Sequence, residues 1–141
     1  RKNIPGTNCR KLQHNAYFNA PAGLPLVQHS LNIMLEFYQQ GKISLERIVE
    51  KMCHAPADCF RVKNRGYIRE GYFADIAIVD MHTSWKVSKE NILFKCGWSP
   101  LEQHAFTGKV TQTFVNGHLV YNNGIFDESQ KGKRLLFTPN T

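Results

Sequence analysis

Six histidines, His14, His29, His54, His82, His104 and His118, are the residues of this sequence best suited to metal chemistry. A zinc site needs three or four donors that converge, usually announced by a close pair on one helix or strand. No HxH, HxxxH or HExxH spacing occurs among them, so the chain is expected to hold no metal site of its own. His29 falls between Val27 and Leu31 on an apolar-periodic stretch, where a packed or capping imidazole is the simpler expectation. Cys53 and Cys59 could act as nucleophiles only beside a base in an exposed, electropositive setting. His54 is the sole candidate base nearby, and neighbours in sequence need not face each other, so inert buried thiols are expected. Asp75 and Asp80 flank a short apolar run, a placement that suits turn and strand-end roles better than a paired acid and base. Trp98 and Phe106 are expected to pack in a core.

Composition narrows the class. The 141 residues are 42% hydrophobic and 21% charged, the balance of one folded domain. No apolar run reaches the roughly 18 residues of a membrane span. The Arg1–Pro5 start lacks the apolar core of a signal peptide, so no membrane partner is expected. Four cysteines without a CxxC pair give neither a disulfide framework nor a zinc knuckle, which fits reduced thiols in a cytoplasmic protein. The net charge of +7 resides at the ends: residues 1–20 and 129–141 are basic without a single acid, while the stretch between balances its charges. Nucleic-acid binders place a basic stripe on a folded face. Here the excess reads as flexible tails, and no nucleic-acid partner is expected.

The elements follow from periodicity. Residues 1–23, with Pro5, Gly6, Pro21 and Gly23, show no sustained apolar period and read as a long irregular segment of the kind that borders a site. From Leu24 onward Val27, Leu31, Met34, Leu35 and Tyr38 recur at helical spacing, with Pro25 in the first turn and Gly41 at the C-terminal end. A second helix is capped by Ser44 and carries Leu45, Ile48, Val49 and Met52; a short third starts at Pro56 and runs to about Val62. The remainder is β-rich. Tyr72–Asp80 reads as a strand, and Lys109–Val115 with His118–Tyr121 flank Asn116-Gly117, a strong hairpin signal; Asn123-Gly124 marks another turn.

Gly66-Tyr67-Ile68-Arg69-Glu70-Gly71-Tyr72-Phe73-Ala74-Asp75-Ile76-Ala77-Ile78-Val79-Asp80 resembles the G-x-I-x-x-G-x-x-A-D-[IL]-x-x-x-D signature near the C-terminus of the amidohydrolase superfamily. Val110–Gly117 through Val120–Gly124 resembles that superfamily's closing hairpin. Within it, Pro21-Ala22-Gly23-Leu24-Pro25-Leu26-Val27-Gln28-His29-Ser30-Leu31 and Cys96-Gly97-Trp98-Ser99-Pro100-Leu101-Glu102 are most similar to dihydroorotases. In many relatives Gly follows the Ser-Pro-x-Glu run; here Gln103-His104 does. The resemblance covers roughly residues 16–137.

The resemblance implies an α/β fold: the C-terminal part of a TIM-type (β/α)8 metal-dependent hydrolase barrel, represented by helices, plus strands of a small β-sandwich domain. Residues 1–23 would then be a loop segment on the active-site side, 24–65 the last barrel helices, and 66–141 the β-sandwich strands and C-terminal tail. A barrel needs roughly 200–250 residues, so this chain would be one portion of a longer enzyme. It further implies a zinc hydrolase interconverting dihydroorotate and N-carbamoyl-L-aspartate in pyrimidine biosynthesis. The family takes its ligands from an HxH pair, a modified Lys, two further His and an Asp in an Asp-His-Ala-Pro-His-like motif. None of these is in the chain, and His54-Ala55-Pro56 matches the last only superficially, with Cys53 in place of the acid. No catalytic or metal residue is therefore assigned here, and zinc is expected upstream. The Pro-Ala-Gly-like loop carries substrate-contacting backbone groups in the family, which maps onto Ala22 and Gly23. The implied partners are the small-molecule substrate and the remainder of the barrel; a homodimer is a further expectation only from the frequency of dimers among symmetric enzymes. The alternatives are a hydantoinase or dihydropyrimidinase, which share the architecture, and a non-catalytic dihydroorotase-like binding or assembly module.

Overall fold

The computed structural model describes residues 23–139, and the expected irregular segment, with Cys9, His14 and Ala22, falls outside them apart from Gly23. A single turn at Val27–His29 leads into α1 (Ser30–Gln39). Pro25 thus precedes the helix instead of occupying its first turn. The C-terminal end is as the sequence predicts: Gly41 adopts φ 69°, its N–H reaches Tyr38 O at 2.9 Å, and Lys42 N–H reaches Phe37 O at 2.9 Å. This pair of bonds is a Schellman closure, which needs a left-handed residue and hence favours glycine.

The second and third expected helices are one continuous helical stretch. Ser44 caps α2 (Leu45–Val49), its hydroxyl accepting from Arg47 N–H at 3.3 Å. A π-helical turn, Glu50–His54, then joins α2 directly to α3 (Ala55–Cys59). Pro56 explains the wide turn. It lacks an N–H and its ring would strike the carbonyl four residues back, so the helix loosens to i→i+5 bonding, as Ala55 N–H to Glu50 O shows.

Four strands follow: β1 (Ile76–Lys86), β2 (Ala105–Val115), β3 (His118–Asn122) and β4 (Ile125–Phe126). They form one antiparallel sheet in the order β1-β2-β3-β4. Both two-residue turns were foreseeable, since Asn116-Gly117 and Asn123-Gly124 hold positive φ at all four positions, the requirement of the hairpin turn that matches strand twist. β1 begins four residues later than expected and runs six further. The Gly71–Asp75 approach is tied down locally by Phe73 N–H to Asn64 O at 2.9 Å. The basic C-terminal segment is not a free tail: Phe137 bridges Val62, and Thr138 N–H reaches Arg61 O at 2.9 Å.

Among the described residues the fully buried apolar side chains are Leu35, Ile48, Ala57, Val87 and Phe106. That is a small core beside a long series of exposed large hydrophobic residues, including Val27, Val49, Met52, Phe60, Ile68 and Leu93.

Candidate functional site

The helix buries Leu35 of its expected apolar stripe against the sheet and sets polar side chains beside it. Asn32 is buried and donates from Nδ2 to the Gly108 carbonyl at 2.9 Å; Trp85 Nε1 donates to the same carbonyl at 3.0 Å. One and two turns on, Glu36 Oε2 meets His104 Nε2 at 3.0 Å and Gln39 Nε2 donates to Thr107 O at 3.1 Å. Gly108 holds φ 101°, a conformation that favours glycine, and a Cβ there would sit in ordinary contact with Leu35 Cδ1 at 3.4 Å. The β1–β2 register slips between Asp80 and Ser84, which leaves the Gly108 carbonyl outside the ladder and available to both donors. Val27, named as part of the core stripe, is 82% exposed. The sequence signal for the true contact face was present as His29, Asn32, Glu36 and Gln39 at helical spacing, but apolarity masked it.

Each carboxylate at the ends of the Ile76–Val79 run has a structural occupation. Asp80 accepts from Thr83 Oγ1 at 2.7 Å and from the His82 and Thr83 N–H groups, and these bonds, the hydroxyl first, hold its pKa below the usual carboxylate value. It caps the slip in the β1–β2 ladder. Asp75 pairs with Arg65 and accepts from Asn116 N–H at 2.8 Å, while Arg65 also donates to Asn116 Oδ1 at 2.5 Å and lies over the Phe73 ring. The two aspartates are therefore anchors of strand and turn.

The histidines do not converge. His29 is fully enclosed by Trp85, Phe94 and Phe106, with ring centroids 5.8–6.1 Å away, and burial pushes its pKa down. His54 stacks on Tyr67 at 4.2 Å, and His118 pairs with Asp127 at 3.0 Å. Among the described residues no group of three His, Cys, Asp or Glu side chains could hold a metal ion. The donor set present thus does not fit zinc. The thiols depart from expectation, because Cys53, Cys59 and Cys96 are exposed.

The Cys96–Glu102 run folds as a turn. Buried Ser99 accepts from Leu101 N–H at 3.2 Å, and Gln103 N–H reaches Val87 O at 2.8 Å. Gln103 carries φ 74°, a left-handed conformation that favours glycine. Phe106 packs in the core as expected, and Trp98 is half-buried.

Gly23 opens the described chain four residues before the first turn. It is exposed, and nothing among the described residues crowds the position a Cβ would take. Ala22 lies outside the described residues. Two apolar concavities are larger features. One, about 540 Å³, lies between Gln28, Asn32, Trp85 and the β3–β4 hairpin. The other, about 550 Å³, runs between α1, the 45–59 helix and β1. No helix among the described residues is long and apolar enough to cross a membrane.

A sequence profile of the Amidohydrolase family matches residues 11–120. Among curated proteins, the Dihydroorotase of Pyrococcus abyssi is 36% identical over 115 residues, which are 82% of this chain and 28% of that protein. The Dihydroorotase of Pyrococcus furiosus is 34% identical over the same share of each. Among solved structures, the L-hydantoinase (dihydropyrimidinase) of Arthrobacter aurescens superposes with TM-score 0.69 at 33% identity, covering 77% of this chain and 25% of that one. The D-hydantoinase of Bacillus sp. AR9 superposes with TM-score 0.74 at 28% identity, covering 84% and 26%. The chain therefore spans little more than a quarter of the proteins it matches.

Proposed function

The chain belongs to the amidohydrolase family, and we propose that it is the C-terminal portion of a dihydroorotase, the enzyme that interconverts dihydroorotate and N-carbamoyl-L-aspartate in pyrimidine biosynthesis. The observation that carries this reading is the 36% identity to the Pyrococcus abyssi dihydroorotase over 115 residues. Residues 24–65 are assigned to the last barrel helices and 66–141 to the strands and C-terminal tail of the small β domain. The two are packed together through Asn32 and Gly108, so this portion forms the joint between them.

The chain's own part in such chemistry is positioning. Asn32, Glu36 and Gln39 fix α1 on the sheet, and that fixes the helix to which the chain from Gly23 leads. Open backbone at Gly23 suits N–H donation to an anionic carboxylate such as that of dihydroorotate, because a glycine permits close approach. Zinc, if the whole enzyme carries it as its relatives' family does, would be held by residues beyond this chain, and the histidines here take no part. Three free thiols support a reducing, cytoplasmic setting, and a homodimer remains the assembly proposed.

The test is ring opening by the purified full polypeptide. Dihydroorotate is the substrate expected to be hydrolysed, and N-carbamoyl-L-aspartate the compound expected to be cyclised. Turnover of hydantoin or dihydrouracil without dihydroorotate would replace this reading by the hydantoinase one. Inactivity of the metal-loaded polypeptide on all of them would favour the non-catalytic module.

A further inference from the structure

An asparagine followed by glycine is prone to lose its side-chain amide, because the bare glycine Cα leaves the next backbone nitrogen open to attack the asparagine Cγ. The chain holds two such pairs in equivalent places: Asn116-Gly117 turns β2 into β3, and Asn123-Gly124 turns β3 into β4. Both turns have positive φ throughout, 53° and 83° in the first, 47° and 97° in the second, so turn geometry does not separate them. Their surroundings do.

Asn116 is pinned from three sides. Arg65 donates to its Oδ1 at 2.5 Å, its own N–H donates to Asp75 at 2.8 Å, and the Gly117 N–H donates to the Ala74 carbonyl at 2.9 Å. That last bond engages the nitrogen that would attack. Asn123 is held only by its hairpin: its N–H reaches Thr111 O at 2.8 Å and its Nδ2 reaches the adjacent Asn122 Oδ1 at 3.1 Å, while the Gly124 N–H donates to no group among the described residues. Asn122, Asn123 and Gly124 are exposed, and β4 pairs with β3 only through Tyr121 with Phe126 and Asn122 with Ile125. A short strand end facing solvent opens locally at little cost, whereas the turn tied to Arg65, Ala74 and Asp75 opens only with a larger part of the fold.

We propose that Asn123 is a spontaneous deamidation site of the folded protein and that Asn116, in the same dipeptide, is protected by its anchors. The Gly124 nitrogen gives its proton to hydroxide and attacks Asn123 Cγ; a C–N bond forms, the Cγ–Nδ2 bond breaks, and ammonia leaves with a proton taken from water. Water then opens the five-membered imide at either carbonyl, giving aspartate or isoaspartate. Each product carries a carboxylate where the amide was neutral. Isoaspartate also places an extra methylene in the main chain, which a two-residue turn does not hold. The modified hairpin therefore releases β4 and parts the Tyr121 and Phe126 rings, whose centroids lie 5.1 Å apart.

The experiment follows deamidation of both peptides by mass spectrometry while the full polypeptide stands at mildly alkaline pH, native and in urea. In the native protein Asn123 is expected to react at least about tenfold faster than Asn116, and in urea the two rates should agree within about twofold. Arg65→Lys keeps a cation beside Asp75 but loses the fork that reaches Asn116, so the Asn116 rate should rise about threefold while Asn123, which reports that the fold survives, keeps its native rate. Native rates within twofold of each other would overturn the proposal, as would a faster Asn116. A preference of the same size in urea would overturn it too, since it would then come from sequence neighbours and not from the fold. An unchanged Asn116 rate in Arg65→Lys would remove Arg65 from the protection.

Discussion

Asp75 accepts a hydrogen bond from the backbone N–H of Asn116 at 2.8 Å, joining the start of β1 to the turn that closes the β2–β3 hairpin 41 residues later. Arg65 completes the triangle through its ion pair with Asp75 and its bond to Asn116 Oδ1. The aspartate of the family signature is thus a register pin. Asp75→Ala is expected to destabilise the protein by about 2 kcal/mol, since it removes a charge-assisted bond and leaves a largely buried guanidinium unpaired. Combined with Arg65→Ala, the losses should fall short of additive by about 1 kcal/mol in denaturant melts. Additive losses would mean that the two side chains act independently.

The two glycines of the signature serve different needs. A Cβ on Gly66 would overlap that of Ala57 and come 2.8 Å from the Cys53 carbonyl oxygen, and its φ is 82°. Gly71 has φ 78° but open space around it. Gly66→Ala should therefore cost about 3 kcal/mol or more, from strain plus backbone overlap, and Gly71→Ala about 1 kcal/mol from strain alone. Urea midpoints of the two variants decide this; equal losses would refute the close approach at Gly66.

Gln103 occupies a left-handed position, φ 74°, that favours glycine. Gln103→Gly is expected to stabilise the protein by about 0.5–1 kcal/mol, the strain relieved exceeding the added freedom of the unfolded chain. A lowered melting temperature would show that the Gln103 side chain does something the structure does not assign to it.

His29 is buried without a hydrogen-bond partner on either ring nitrogen, and burial lowers its pKa below 6.5. The unfolded chain then binds more protons than the folded one wherever the pH lies between the two pKa values, so stability rises with pH there. The contribution is fully present above about pH 6.5 and is lost as the pH falls through that value toward the folded pKa. His29→Phe should flatten this acid-side slope in melts between pH 7.5 and 5. An unchanged slope would place its origin in other groups.

Local chemistry was legible in the sequence wherever a single residue type dictates the backbone. Gly41 closes α1, Ser44 caps α2, and two Asn-Gly pairs turn the hairpins, each at its expected position. What failed to show was whatever depends on a partner surface. The stripe containing Val27 looked like a core face because periodicity reports amphipathicity and not which neighbour is present. In this chain the sheet takes Asn32 and Gln39 together with Leu35, and Val27 is left exposed. Pro56 likewise signalled a break, but the helix absorbed it as a π-turn. The candidate site was legible only as Ala22 and Gly23, and its geometry depends on chain beyond the described residues.

The central claim is that these residues are one portion of a longer cyclic-amide hydrolase. The intact mass of the native polypeptide, with peptide sequencing upstream of Arg1, tests it most directly. The account predicts a chain of roughly 400 residues, the length of which 115 residues make up 28%, with an HxH motif in the added segment, enough for a complete barrel. A native mass of 16.2 kDa would contradict it.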